Sequence, residues 1–141
     1  MIEEYLLKEL SEASNKVGGV TFLPREKSEK ILKTIADIYI TDRSSRWWWS
    51  SLSKKSKRIS YKRNDGLSAL RDLINIEDQC FLVVTDDEFP PWPIYFGRID
   101  RILEILSECR YFEYFLAAEN NEWVVFDTHH NELVVSGRLI S

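Results

Sequence analysis

The chain has 141 residues, 44% of them hydrophobic and 30% charged, with a net charge of −4. That length and mixture suit one globular domain and exclude a disordered or low-complexity chain. Its longest apolar runs, such as Phe81-Leu82-Val83-Val84, are far too short to cross a bilayer as a helix.

The opening stretch, "MIEEYLLKELSEAS", carries acids where a secretory signal needs basic residues, so the expected location is the cytoplasm. Ile2, Leu6, Leu7, Leu10 and Ala13 recur at helical spacing, which predicts an amphipathic helix over 2–16 ended by Gly18-Gly19. "VTFLP" is a short extended piece stopped by Pro24. Ile31, Leu32, Ile35, Ile38 and Tyr39 then share one stripe and predict a second helix over 25–39.

The next stretch is "RSSRWWWSSLSKKSKRISYKR". Residues 42–63 hold eight basic residues and one acid, whereas thirteen acids face four arginines from Glu77 to the end. A helix over 45–54 puts Trp48, Trp49 and Leu52 on one face that wants burial, with Trp47 at the rim. A strand would instead point Trp47 and Trp49 together. The capping serines and the absence of β-branched residues favour the helix. Base stacking over a cationic groove needs rings interleaved with charges. Here the rings precede the block, and the acidity of the whole chain argues against nucleic acid as a partner.

Ile59-Ser60-Tyr61 reads as a strand, Asn64-Asp65-Gly66 as a break, and Leu67, Leu70, Leu73 and Ile74 as a helix. "QCFLVVTD" has the continuous apolar pattern of a strand covered on both faces. "DDEFPPWPIYFG" reads as a loop because of Pro90, Pro91 and Pro93. Ile99, Ile102, Leu103 and Leu106 predict a helix of about ten residues, roughly three turns. "YFEYFLAAE", "EWVVFDT" and "ELVVSG" are three closing strands, joined by an Asn120-Asn121 turn and by the loop from Asp127 to Asn131. The expected fold is α+β, a single domain over 1–141: a mostly antiparallel sheet with helices packed on one face.

Three groups of residues carry candidate chemistry. Asp86, Asp87 and Glu88 end a buried strand beside Trp92. With Glu119 and Glu122 they form a candidate acidic surface for a cationic protein partner. Asp127, His129, His130 and Glu132 are metal-capable types packed into six residues, a candidate ligand set for a small metal-dependent hydrolase. The same residues more often tie a hairpin through hydrogen bonds to free backbone groups. Lys54, Lys55, Lys57 and Arg58 read as a solvated face. Cys80 and Cys109 lack any metal or disulfide spacing and read as small buried hydrophobes in a reducing compartment. No phosphate loop, nucleophile elbow or Cys/His pair accompanies any of them, so no catalytic residue and no cofactor is assigned.

The run "FEYFLAAENNEWVVFDTHHNELVVSG" resembles a family of small bacterial proteins of unassigned function, matching at Glu113, Tyr114, Trp123, His129, His130 and Gly137. "RWWWSSL" and "PPWPIYFG" extend the likeness over roughly 45–137. The pattern is also similar, more loosely, to immunity proteins of bacterial polymorphic toxin systems. That resemblance implies a single cytoplasmic α+β domain that neutralises a toxin by binding it. It carries over no catalytic residue. The resulting expectation is a non-enzymatic protein-binding module that occludes a basic toxin domain through its acidic surface.

Overall fold

The structure, a computed structural model, describes residues 2–63 and 65–139. Four α-helices, α1 (Glu4–Val17), α2 (Arg25–Tyr39), α3 (Gly66–Leu73) and α4 (Ile99–Glu108), accompany seven strands among those residues. The strands are β1 (Val20–Phe22), β2 (Ser56–Ser60), β3 (Gln79–Val84), β4 (Ile94–Arg98), β5 (Tyr114–Ala118), β6 (Trp123–Asp127) and β7 (Glu132–Gly137). They form one sheet in the order β1-β4-β3-β5-β6-β7-β2, antiparallel at each pairing. The fold is therefore α+β, as the sequence predicts.

The central strands show how sequence becomes layer. β5 and β6 are buried at each position, so both faces of the sheet are covered there. Side chains alternate along a strand. Phe115 points one way, toward the Trp48 ring, with centroids 6.1 Å apart. Tyr114 points the other way, into a cavity that Leu106 of α4 also lines. On that second side α4 lies across β3 and β4, with α1 and α3 packed beside it. The first side is closed at its centre by the tryptophan segment that follows α2.

That segment departs from the predicted helix over 45–54. Only Trp48–Ser50 makes a single 3₁₀ turn, and Ile40 and Leu52 form an isolated antiparallel bridge instead. Ser45 does hydrogen-bond the local backbone, but its hydroxyl serves Trp47 within a turn and not a helix start. As a result Trp48 is the one of the three that is fully buried, edge-on to Trp92 at 4.8 Å, and it donates its indole N–H to the Arg43 carbonyl. Trp47 and Trp49, both half-buried, stack on each other at 6.0 Å, the pairing expected of an extended chain, with Trp49 packed against the core.

The second departure is β4. Pro90, Pro91 and Pro93 do keep the chain irregular, with a cis bond between Pro90 and Pro91. Their influence ends at Pro93, and Ile94–Arg98 then pairs with β3 on one side and β1 on the other. α4 follows directly.

Candidate functional site

The register of three strands fixes where the polar residues gather. Val84 pairs with Tyr114, Tyr114 with Asp127, and Asp127 with Leu133. The turn after β3, the entry to β5 and the loop after β6 therefore share one end of the sheet. Tyr61, just beyond β2, joins them through its backbone N–H to the Asn131 carbonyl.

Asp127 stands at the bottom of this end. It alternates with Trp123 and Val125 on one face of β6, so the pattern that buries them buries its carboxylate as well, leaving it 5% exposed. Tyr61 donates to one carboxylate oxygen at 2.5 Å and Tyr114 to the other at 2.8 Å. Tyr111 donates to the Asp127 carbonyl at 3.3 Å. Burial raises the carboxyl above its ordinary range, against the two phenol hydrogen bonds, which lower it. Burial, reinforced by Asp127, pushes the Tyr61 and Tyr114 phenols up, so each remains a neutral donor.

A cavity of about 460 Å³ opens over this cluster, lined by Tyr61, Tyr111, Tyr114 and Asp127, with Leu67 and Leu106 in its wall and Arg63 and Arg110 among its lining. Such a volume suits a small ligand or one inserted side chain. Cys109 also lines it, but burial, then Glu9 and Glu108, push its thiol up to about 11. It is a thiol at neutral pH and a poor nucleophile.

A second cluster lies alongside. The buried Glu113 carboxylate accepts the His129 backbone N–H at 3.2 Å and faces its Nδ1 at 2.5 Å. A carboxylate oxygen accepts, so Nδ1 is the donor in this contact. His129 packs 3.9 Å from His130, and both rings meet the edge of Trp49 at 5.9 Å. Trp47 completes the group, 5.7 Å from His129, and donates its indole N–H to Asp87 at 2.6 Å. Asp86 and Asp87 both take the left-handed backbone conformation in the turn, where the Asp86 backbone N–H bonds the Glu113 carbonyl at 2.8 Å.

The predicted metal set is divided by this geometry. Asp127 is held by phenols, Glu132 pairs with Arg58, and His130 lies against Trp49. Among the described residues, the group whose ligand atoms come within 4.8 Å of one another is Asp87, Glu113 and His129. Only His129 belongs to the predicted four.

The predicted acidic surface is divided too. Trp92 is buried: its ring packs on Trp48 and Phe115, and its N–H donates to the Glu88 carbonyl at 3.0 Å. The prolines pin it inward instead of presenting it. Asp86, Asp87 and Glu88 follow the Val84–Tyr114 end of the sheet, whereas Glu119 and Glu122 follow the Cys80–Ala118 end. The two groups are separated by the length of β5, roughly 15–20 Å at about 3.3 Å per residue. Glu122 also pairs with Arg138 at 2.8 Å.

The residues that local reasoning passes over are Tyr61, Tyr111, Tyr114 and Glu113. One signal for them does stand in the sequence. An Asp closing a wholly apolar strand, "WVVFD", is an acid in line for burial, and such an acid needs donors.

Comparison with curated proteins gives no match. The model of a family of unknown function, DUF6756, matches residues 11–141, and the chain belongs to that family.

Proposed function

We propose that the chain is a non-enzymatic protein-binding module, of the kind by which an immunity protein neutralises a cognate bacterial toxin by occluding it. The observation that carries this reading is the surface at the turn end of the sheet. There Tyr5, Phe89 and Tyr111 are each more than half exposed, beside Asp86, Asp87 and Glu88. Two arginines link the patch: Arg46 lies 4.6 Å over Trp47 and 5.6 Å over Phe89, and Arg110 lies 5.2 Å over Tyr5.

Exposed aromatics with arginine are the composition of binding hot spots. The neighbouring acids suit a basic partner and would speed its approach. Relative to the expectation from sequence, this surface keeps Asp86, Asp87 and Glu88. It replaces Trp92, Glu119 and Glu122 with Tyr5, Phe89 and Tyr111.

The test is co-expression with the protein encoded by the adjacent gene. A stoichiometric complex in native mass spectrometry, with association slowing as salt rises, supports the reading. Phe89→Ala and Tyr111→Ala should each weaken it by about tenfold or more. No complex and no protection of growth would overturn it.

A second reading rests on a different observation, the approach of Asp87, Glu113 and His129. A divalent cation held by two carboxylates and an imidazole, with a position left for water, is the arrangement of a metal-dependent hydrolase. Metal analysis and a Zn²⁺ or Mn²⁺ thermal shift decide it. An unchanged melting temperature with both ions removes this reading.

A further inference from the structure

Buried carboxylates in proteins are ordinarily paired with a cation or a metal, because burial of an uncompensated charge is costly. Asp127 is buried, and its hydrogen-bond partners among the described side chains are the neutral hydroxyls of Tyr61 and Tyr114. No lysine, arginine or histidine among the described residues forms an ion pair with it. Two phenols occupy two of the roughly four lone-pair positions of a carboxylate, which leaves acceptor capacity unused.

The cavity opens onto that carboxylate. Tyr61, Tyr111, Tyr114 and Phe112 are among its lining, residue types whose ring faces attract a cation. Leu67 and Leu106 supply an apolar wall for a methylene stem. Arg110 in the same lining is already paired with Glu3 at 3.2 Å. Arg63 has no ion pair with another described residue, and it bars a second positive charge while offering a seat for an anion.

We propose that this cavity binds a guanidinium or ammonium head on an alkyl stem, seated against Asp127 with its charge among the tyrosine rings. An α-carboxylate on the same molecule would meet Arg63. The head can come from a free basic amino acid or from an arginine or lysine of a protein partner. Tyr111 belongs both to this cavity and to the proposed protein-binding surface, but the small-molecule binding tested below does not require that reading to hold.

The experiment is an NMR titration of the full chain with L-arginine, agmatine, N-acetyl-L-arginine amide and spermidine at matched ionic strength. L-Arginine or its capped amide should bind with a dissociation constant of about 1 mM or tighter, and spermidine more weakly. Shifts should centre on Tyr61, Tyr111 and Tyr114. Preference for L-arginine that is lost in Arg63→Gln identifies a free amino acid. Equal binding of the capped amide identifies a partner's side chain.

Asp127→Asn should weaken binding by about tenfold or more. Absence of binding by every probe, or undiminished binding by Asp127→Asn, overturns the proposal. Should that variant not fold, shifts that map away from the three tyrosines in the native chain overturn it equally.

Discussion

Trp47 and Asp87, forty residues apart in the chain, are joined by an indole N–H to carboxylate hydrogen bond of 2.6 Å. This contact fastens the segment after α2 to the turn after β3, and it brings Trp47 over His129. Arg46 approaches the same carboxylate at 3.5 Å. Because Asp87 is largely solvated, the bond is screened. Trp47→Phe should therefore cost only about 1 kcal/mol, the scale of an ordinary protein hydrogen bond. A double-mutant cycle with Asp87→Ala, read by urea denaturation, checks it. Additive losses would mean that the contact does not hold the segment.

The neighbouring tryptophan behaves differently. Trp48 is buried against Trp92 and Phe115, so Trp48→Ala removes a large core side chain and leaves a cavity. The expected cost is about 3–5 kcal/mol. Trp47→Ala should cost less than half of that, since its ring is already part-solvated. Equal losses in denaturation midpoints would refute this division of labour within "WWW".

The same three residues mark how far the sequence could be read. Local periodicity suffices for α2, whose stripe of Ile31, Leu32, Ile35, Ile38 and Tyr39 sets a helix of the predicted bounds, Arg25–Tyr39. It fails over 45–54 because the conformation there is set by distant partners: the bridge from Leu52 to Ile40 and the tie from Trp47 to Asp87. β4 was hidden for another reason. Three prolines dominate the reading of "DDEFPPWPIYFG", although proline restricts only itself and the residue before it.

At the candidate site, alternation along "WVVFD" already points Asp127 inward. Its donor Tyr61 lies 66 residues away, and no local pattern reports that meeting. Likewise the acids flanking β5 are close in composition but stand at opposite ends of a strand, which only the register reveals.

Gly137 ends β7 with φ of +92°, and a Cβ built there would lie 2.3 Å from the Glu122 carbonyl oxygen. Gly18 has a similar φ of +78° at the end of α1, but a Cβ there meets nothing within 4 Å. Both positions have a positive φ that strains an L-residue by about 1–3 kcal/mol, and at Gly18 a ψ of 165° makes the conformation one nearly confined to glycine. Only Gly137→Ala adds a backbone clash that the β6–β7 hairpin must open to relieve. Its loss should exceed that of Gly18→Ala by about 2 kcal/mol or more. Thermal or urea unfolding of the two variants makes the comparison directly, and equal losses would contradict the close approach.

Asp127 yields a pH prediction whose sign follows from burial. An unfolded aspartate titrates near 3.9, while burial raises the folded carboxyl above its ordinary value. Below the unfolded value both states are protonated, and the carboxyl has no effect on stability. As pH climbs past it, the unfolded chain releases its proton while the folded chain still holds one, so stability falls. The fall is complete once pH exceeds the raised folded value. The amide in Asp127→Asn does not titrate, so the melting temperature of that variant minus that of the native chain should rise as pH climbs from about 3 and level off once pH exceeds the raised folded value. Taking the difference cancels the other groups, including Asp86, which burial also raises. A difference that is flat or that falls with pH would show that the carboxylate is compensated inside the fold. In that case the cavity above it would have no uncompensated charge to offer a cation.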